Sequence, residues 1–320
     1  MRILVLGTGP FAVPMFQSLL DSPHEVAALV TRPTSEAKGR EKTARNPMRD
    51  VAVSRGLMVH APASINTEEG MQIIAESRPD LLVVCDYGQI LAADVLALVP
   101  LGGINLHASL LPKYRGAAPI QWALLNGEIE TGVSVIHMTP RLDAGPILAV
   151  RTTPIGADET HPELEHRLAH LGIEAVHEAI DLLAHWDRIR PLGALQDKQQ
   201  ATKAPRLKKE HGAIDWSRST EQIRNQVRAL KPWPGTYTFW QRTAHEPLRL
   251  VIDEVQVINS MTGPPGKVLV SDGQRLIVAA GQEGLSILAL QPAGKRVMPV
   301  ADFLRGYPVR EGDNFSDGSS

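Results

Sequence analysis

Residues 103–120 read GINLHASLLPKYRGAAPI. The apolar run at 103–106 reads as a short buried strand, and chemistry begins where it ends. Asn105 and His107 are two apart, so an extended chain presents both on one face. A Ser-Leu-Leu-Pro turn and the basic loop Lys113-Tyr114-Arg115-Gly116 follow at once. Downstream, Leu142-Asp143-Ala144-Gly145-Pro146 supplies a carboxylate in a turn bounded by glycine and proline. An amide, an imidazole and a carboxylate make a kit for acyl transfer to an amine. The first two bind a developing oxyanion, and the third sets the charge and orientation of the imidazole.

Working outward from this stretch, short apolar runs alternate with helix-period segments. Strands are predicted at 3–6, 25–30, 81–85, 103–106, 132–138 and 145–152. Helices are predicted at 11–20, 46–55, 71–76, 94–98, 118–125 and 163–184. Such alternation predicts an α/β domain, a doubly wound, Rossmann-like and mostly parallel sheet covered on both faces. The carboxyl edge of a sheet of this kind is where ligands bind, which is where Asn105 and His107 fall.

The second half changes character. A helix at 220–230 with Ile223, Val227 and Leu230 on one face precedes β-like runs at 236–240, 248–257, 266–270, 276–279 and 285–290. Short strands separated by Gly, Pro and Asp-Gly turns predict a smaller, OB-like β-barrel. The expected organisation is a catalytic domain at 1–190, a linker at 191–207, a barrel at 208–310 and a flexible tail at 311–320.

Bulk properties narrow the classes. The chain has 320 residues, 43% of them hydrophobic, and a net charge of −2. It lacks an apolar run of the ~18 residues that a membrane span requires. The N-terminus enters a strand pattern at once, without the core of a signal peptide. Cys85 is the only cysteine, so no intrachain disulfide forms, and its apolar run makes it an inert buried residue. These features lead us to expect a cytoplasmic protein that makes no use of membranes, and a monomer. A chain that is not globally basic needs local Lys and Arg to meet nucleic acid. Residues 32–49 concentrate six basic side chains, Arg40 and Lys42 among them, and Lys203, Arg206, Lys208 and Lys209 form a second run.

Two further stretches carry weaker signals. Gly7-Thr8-Gly9 after a strand imitates a dinucleotide fingerprint, but Ala12 stands at the third glycine position. The second strand ends Val30-Thr31-Arg32, with no acid for a ribose hydroxyl, although Arg32 leaves a 2′-phosphate open. The plain reading is a tight turn packing helix on sheet. His161, His166 and His170 lack a convincing third metal ligand and read as helix surface, so no metal is expected.

Asn105-Leu106-His107-Ala108-Ser109-Leu110-Leu111-Pro112, with Arg115-Gly116-Ala117-Ala118-Pro119-Ile120 and Asp143, resembles the formyltransferases that use 10-formyltetrahydrofolate. The resemblance is strongest to the branch that formylates an aminoacyl-tRNA. It runs over about residues 1–310, through Ile214-Asp215-Trp216 and Pro232-Trp233-Pro234-Gly235.

The resemblance implies transfer of a formyl group from 10-formyltetrahydrofolate to the amine of an initiator Met-tRNA, with Asn105, His107 and Asp143 catalytic. It implies a folate pocket formed by Gly88, Gln89, Ile90 and Leu91 with Ser109, Leu110, Leu111 and Pro112. Asp86 stands where that family is expected to carry a small residue. The two basic runs would meet the tRNA, with Arg40 and Lys42 as candidates for the acceptor stem, although the segment 34–40 departs from the family pattern. The competing readings are an N-formyltransferase for a nucleotide-linked amino sugar, a folate hydrolase, and a non-catalytic NADP- or RNA-binding module.

Overall fold

The computed structural model describes residues 1–33, 46–242, 245–281 and 283–318. By contacts the chain divides into two compact units that interleave in sequence. The first comprises Met1–Pro119, Glu130–Ile155 and Leu164–Pro205; the second comprises Ile120–Ile129, Gly156–Glu163 and Arg206–Ser320.

In chain order the first half carries β1 (Arg2–Gly7), α1 (Val13–Leu20), β2 (Glu25–Val30), α2 (Pro47–Ser54), β3 (Val59–His60), α3 (Glu68–Ser77), β4 (Leu81–Cys85), α4 (Ala93–Ala97) and β5 (Gly103–His107). There follow β6 (Arg115–Gly116), α5 (Pro119–Leu125), β7 (Glu130–His137), β8 (Ile147–Pro154), α6 (His161–Ala184) and β9 (Lys203–Ala204). The large sheet of the first unit has the order β3-β2-β1-β4-β5-β7-β8. The strands from β3 to β5 are parallel, so their carboxyl ends share one edge. β7 and β8 close the sheet as antiparallel strands. β4 reads LLVVC and every residue of it is buried, the continuous apolar pattern of a strand covered on both faces. Cys85, at its end, has its thiol pushed well up by burial.

The segment expected as a linker is packed. Ala194 exchanges two backbone hydrogen bonds of 2.8 Å with Ile147. β9 pairs in parallel with β6, in the register Arg115↔Lys203 and Gly116↔Ala204. Residues 194–204 are therefore a strap along the loops at 112–118 and 143–147. A polar run without periodicity concealed it, because the strap is held by backbone pairing rather than by an apolar stripe.

The second unit carries α7 (Thr220–Ala229), β10 (Thr236–Gln241), β11 (Leu248–Ile258), β12 (Val268–Ser271), β13 (Leu276–Ala279), β14 (Gly284–Pro292), β15 (Met298–Pro299), α8 (Val300–Gly306) and β16 (Asn314–Ser316). Ser219 and Gln222 form a capping box that starts α7. The antiparallel sheet has the order β12-β13-β14-β11-β10-β16, with β15 beside β14. Its two ends meet through a bridge between Lys267 and Asn314, which makes a nearly closed barrel. Trp216, Trp240, Leu250, Ile287, Phe303 and Phe315 lie in its core. The segment expected as a frayed tail supplies the closing strand. Its polar composition masked one anchor, Phe315, which is 4% exposed.

Candidate active site

β5 delivers Asn105 and His107 to the shared carboxyl edge, held between β4 on one side and β7 on the other. His107 is buried, and its Nε2 lies 2.9 Å from the carbonyl oxygen of Tyr114. A carbonyl only accepts, so Nε2 carries the hydrogen and Nδ1 is the nitrogen left to react. Nδ1 lies 3.8 Å from Oδ2 of Asp143, whose side chain is 10% exposed. That gap is too long for a hydrogen bond. The amide of half-buried Asn105 takes no hydrogen bond among the described residues, which leaves its N–H donors for a bound group.

Two loops fix these groups. Asp143 adopts the left-handed conformation at φ 49°, and its Oδ2 accepts from the Gly116 N–H at 2.9 Å. Tyr114, also left-handed at φ 62°, aims its carbonyl at His107, while its own N–H donates to Thr202 Oγ1 at 2.8 Å. Gln196 donates to the carbonyls of Asp143 and Gly145 at 2.9 and 2.7 Å, and its Oε1 accepts from Arg115 Nε and Nη2 at 3.1 and 2.6 Å. Reasoning from motifs missed Gln196 and Thr202. Both lie in the polar strap, and no spacing in the sequence ties them to the loops they hold.

The residues assigned to a folate pocket divide into two groups. Ser109 is fully buried, and its hydroxyl donates to the Lys113 carbonyl at 2.7 Å. Gln89 accepts from the Ile65 N–H at 3.0 Å and donates to Ala63 O at 3.2 Å. Both side chains hold neighbouring loops. Leu91 and Leu111 are buried, Leu91 in the apolar cluster behind β4. Gly88 and Ile90 are exposed, and Leu110 and Pro112 half-buried, so these four offer surface.

The glycine loop after β1 packs tightly. A Cβ on Gly9 would meet Asp86 Oδ2 at 1.5 Å, so the Asp86 carboxyl fills the space over that glycine. A dinucleotide pyrophosphate needs the same close approach, and the tight-turn reading is therefore the one the packing favours. Burial of the carboxyl raises Asp86 to about 6, while the Arg32 guanidinium pulls it down. Arg32 donates to Tyr87 O at 2.9 Å and Gly88 O at 3.1 Å, which holds it against the loop after β4.

Arg40 and Lys42 lie outside the described residues. Asn46, the next described residue, donates from Nδ2 to the Thr31 hydroxyl at 2.7 Å, and its Oδ1 caps α2 by accepting from the Arg49 N–H. Lys203 is exposed in the first unit, and Arg206, Lys208 and Lys209 are exposed in the second.

His161 departs from the helix-surface reading. It is 8% exposed, with Nδ1 donating to Lys231 O at 3.0 Å and Nε2 facing the Gln121 amide at 2.8 Å. No cluster of three metal-ligating side chains occurs among the described residues, and no helix among them is long and apolar enough to cross a membrane.

A mixed sheet with an amide and an imidazole at the end of β5, and a loop carboxylate 3.8 Å from the imidazole, offers the groups a group-transfer reaction uses, and comparison with known proteins narrows the class. Residues 1–180 match the formyl transferase family, and residues 206–308 match its C-terminal domain. The methionyl-tRNA formyltransferases of Rhodopirellula baltica and Geobacter sulfurreducens are 47% and 38% identical. The alignments cover 98% and 100% of this chain and 96% and 98% of theirs. An N-formyltransferase from Helicobacter canadensis, solved with folinic acid and dTDP-3-aminofucose, has a TM-score of 0.64 at 16% identity over 90% of this chain and 98% of its own. HypX from Aquifex aeolicus, solved with tetrahydrofolic acid, has a TM-score of 0.62 at 17% identity, covering 95% of this chain and 47% of that one. These two structures are alike in fold. The chain belongs to the formyl transferase family, in the branch of the methionyl-tRNA formyltransferases.

Proposed function

We propose that this protein transfers the formyl group of 10-formyltetrahydrofolate to the α-amino group of methionyl-initiator tRNA, for translation initiation. The observation that carries the reading is the placing of Asn105 and His107 at the end of β5 with the Asp143 carboxylate 3.8 Å from the ring, and with the Asn105 amide uncommitted. The near full-length likeness to methionyl-tRNA formyltransferases supports the choice of acceptor.

The neutral amine attacks the formyl carbon. An α-amino group has a pKa of ~7.7–8.0, so a substantial minority of it is already neutral at physiological pH. Negative charge develops on the formyl oxygen, and the Asn105 Nδ2–H donates to it. The Nε2–H of His107 is held by Tyr114, so the protonated ring donates from Nδ1. Asp143 places negative charge beside that ring and stabilises it. The proton lost by the amine ends on the departing folate nitrogen, by way of His107 and Asp143. Loss of one oxyanion donor costs ~10²–10³ in rate.

The folate lies against Gly88, Ile90, Leu110 and Pro112. Gln89 and Ser109 contribute backbone groups only, and Leu91 and Leu111 form the packing beneath. Arg40 and Lys42 are the candidates to meet the acceptor stem, and Lys203, Arg206, Lys208 and Lys209 take phosphates. The enzyme works in the cytoplasm as a monomer.

The test offers 10-formyltetrahydrofolate to the purified protein with charged initiator Met-tRNA and, in parallel, with a dTDP-linked amino sugar. Formylation of Met-tRNA is expected, with a KM for tRNA that rises steeply with salt. Formylation of the sugar alone would keep the three catalytic groups and overturn the acceptor.

A further inference from the structure

We infer that Gln196 is a positioning residue that sets the spacing of His107 and Asp143. This inference rests on the catalytic reading of that pair.

The orientation of the Gln196 amide is fixed by its partners. The carbonyls of Asp143 and Gly145 only accept, and the Arg115 guanidinium only donates. The nitrogen therefore faces the turn at 143–145 and the oxygen faces Arg115, and every contact agrees with that choice. One planar group thus joins the two loops of the site. The first loop bears Tyr114, whose carbonyl holds the His107 ring, and Gly116, whose N–H anchors the Asp143 carboxylate. The second bears Asp143 in a left-handed conformation that a non-glycine residue keeps only when its surroundings enforce it. Gln196 binds that residue at its own carbonyl. The strap carrying Gln196 is itself fastened beyond this point, where Thr202 O accepts from the Arg115 N–H at 2.9 Å. Gln196 touches none of the reacting groups; it holds the backbones from which they project.

The substitution Gln196→Glu tests this with little change of size. It keeps an acceptor for Arg115 and puts a carboxylate oxygen against two carbonyls, so the turn is pushed away. Gln196→Ala removes the clamp without adding charge. Both are assayed with 10-formyltetrahydrofolate and Met-tRNA beside Asp143→Ala, with folding checked by circular dichroism. A displacement of about 1 Å costs ~10²-fold, so we expect kcat to fall by that order while KM for both substrates stays within about twofold. Arg115→Ala should combine with Gln196→Ala less than additively, because both break one clamp.

Wild-type kcat in both Gln196 variants, with Asp143→Ala inactive, overturns the positioning role and leaves the catalytic reading intact. A rise in KM at unchanged kcat also overturns it. Wild-type turnover in Asp143→Ala removes the catalytic reading and this inference with it.

Discussion

Gly116 and Asp143 are joined by a 2.9 Å hydrogen bond from backbone N–H to Oδ2, the same oxygen that faces His107 Nδ1 at 3.8 Å. The carboxylate is thus anchored from behind while its charge faces the ring. Position and charge can be separated by substitution.

Asp143→Asn keeps an oxygen for the Gly116 N–H and loses the charge. If the charge stabilises a positively charged His107, kcat should fall by ~10²–10⁴. Thermal stability and substrate KM should stay near wild type. Single-turnover formylation measures the chemical step directly, and an unchanged rate would remove Asp143 from the mechanism.

Gly116→Ala disturbs position without touching charge. Gly116 has φ 128°, and a Cβ there would meet the Ala204 carbonyl at 2.5 Å. The loop must move off the strap and carry its N–H away from Asp143. The expected result is a loss of kcat of ~10–10² in a folded protein, read from steady-state kinetics and circular dichroism.

Asp86 gives a pH signature in stability. Its carboxyl stands at about 6 in the folded protein against an ordinary 3.8, chiefly through burial. The fold therefore favours the protonated form. That contribution is complete below about 3.8 and is lost as pH rises through about 6. Solvent reaches the residue, so the effect is modest. Thermal melts of Asp86→Asn and wild type should diverge in favour of the variant between pH 4 and pH 7. A constant difference would show that Asp86 ionises freely.

His161 has the opposite sign. Burial lowers it from 6.5, outweighing the Lys231 carbonyl that raises it. A histidine kept neutral in the fold supports stability above its unfolded value, and that support is lost as pH falls below about 6.5. Urea midpoints of the wild type should drop between pH 7.5 and pH 5.5. His161→Gln should flatten the drop, because a glutamine amide does not titrate.

Most of the sheet could be read from pattern alone. β2, β4 and β13 have the bounds predicted for them, because continuous or alternating apolar runs leave few other solutions. The placing of Asn105 and His107 at a strand end and of Asp143 in a turn was legible, because residue type and local turn chemistry coincide there. The strap and β16 were not, since polar segments held by backbone pairing leave no period to count. The use of the Gln89 and Ser109 side chains as braces was equally hidden. A motif names a residue, but it does not say which way the side chain turns.

The interleaving of the units bears on how the protein can be divided. Trp122, on α5, meets His211 edge-on at 5.6 Å, and Gln121 reaches His161, which is tied to Lys231. These partners are scattered from residue 121 to residue 231, so a gene fragment ending near residue 205 would retain α5 and lose what covers it. The orphaned helix would expose Ile120 and Leu124, both buried in the whole protein, and invite precipitation. No single scission yields two soluble halves, and recombination between relatives must exchange three segments together.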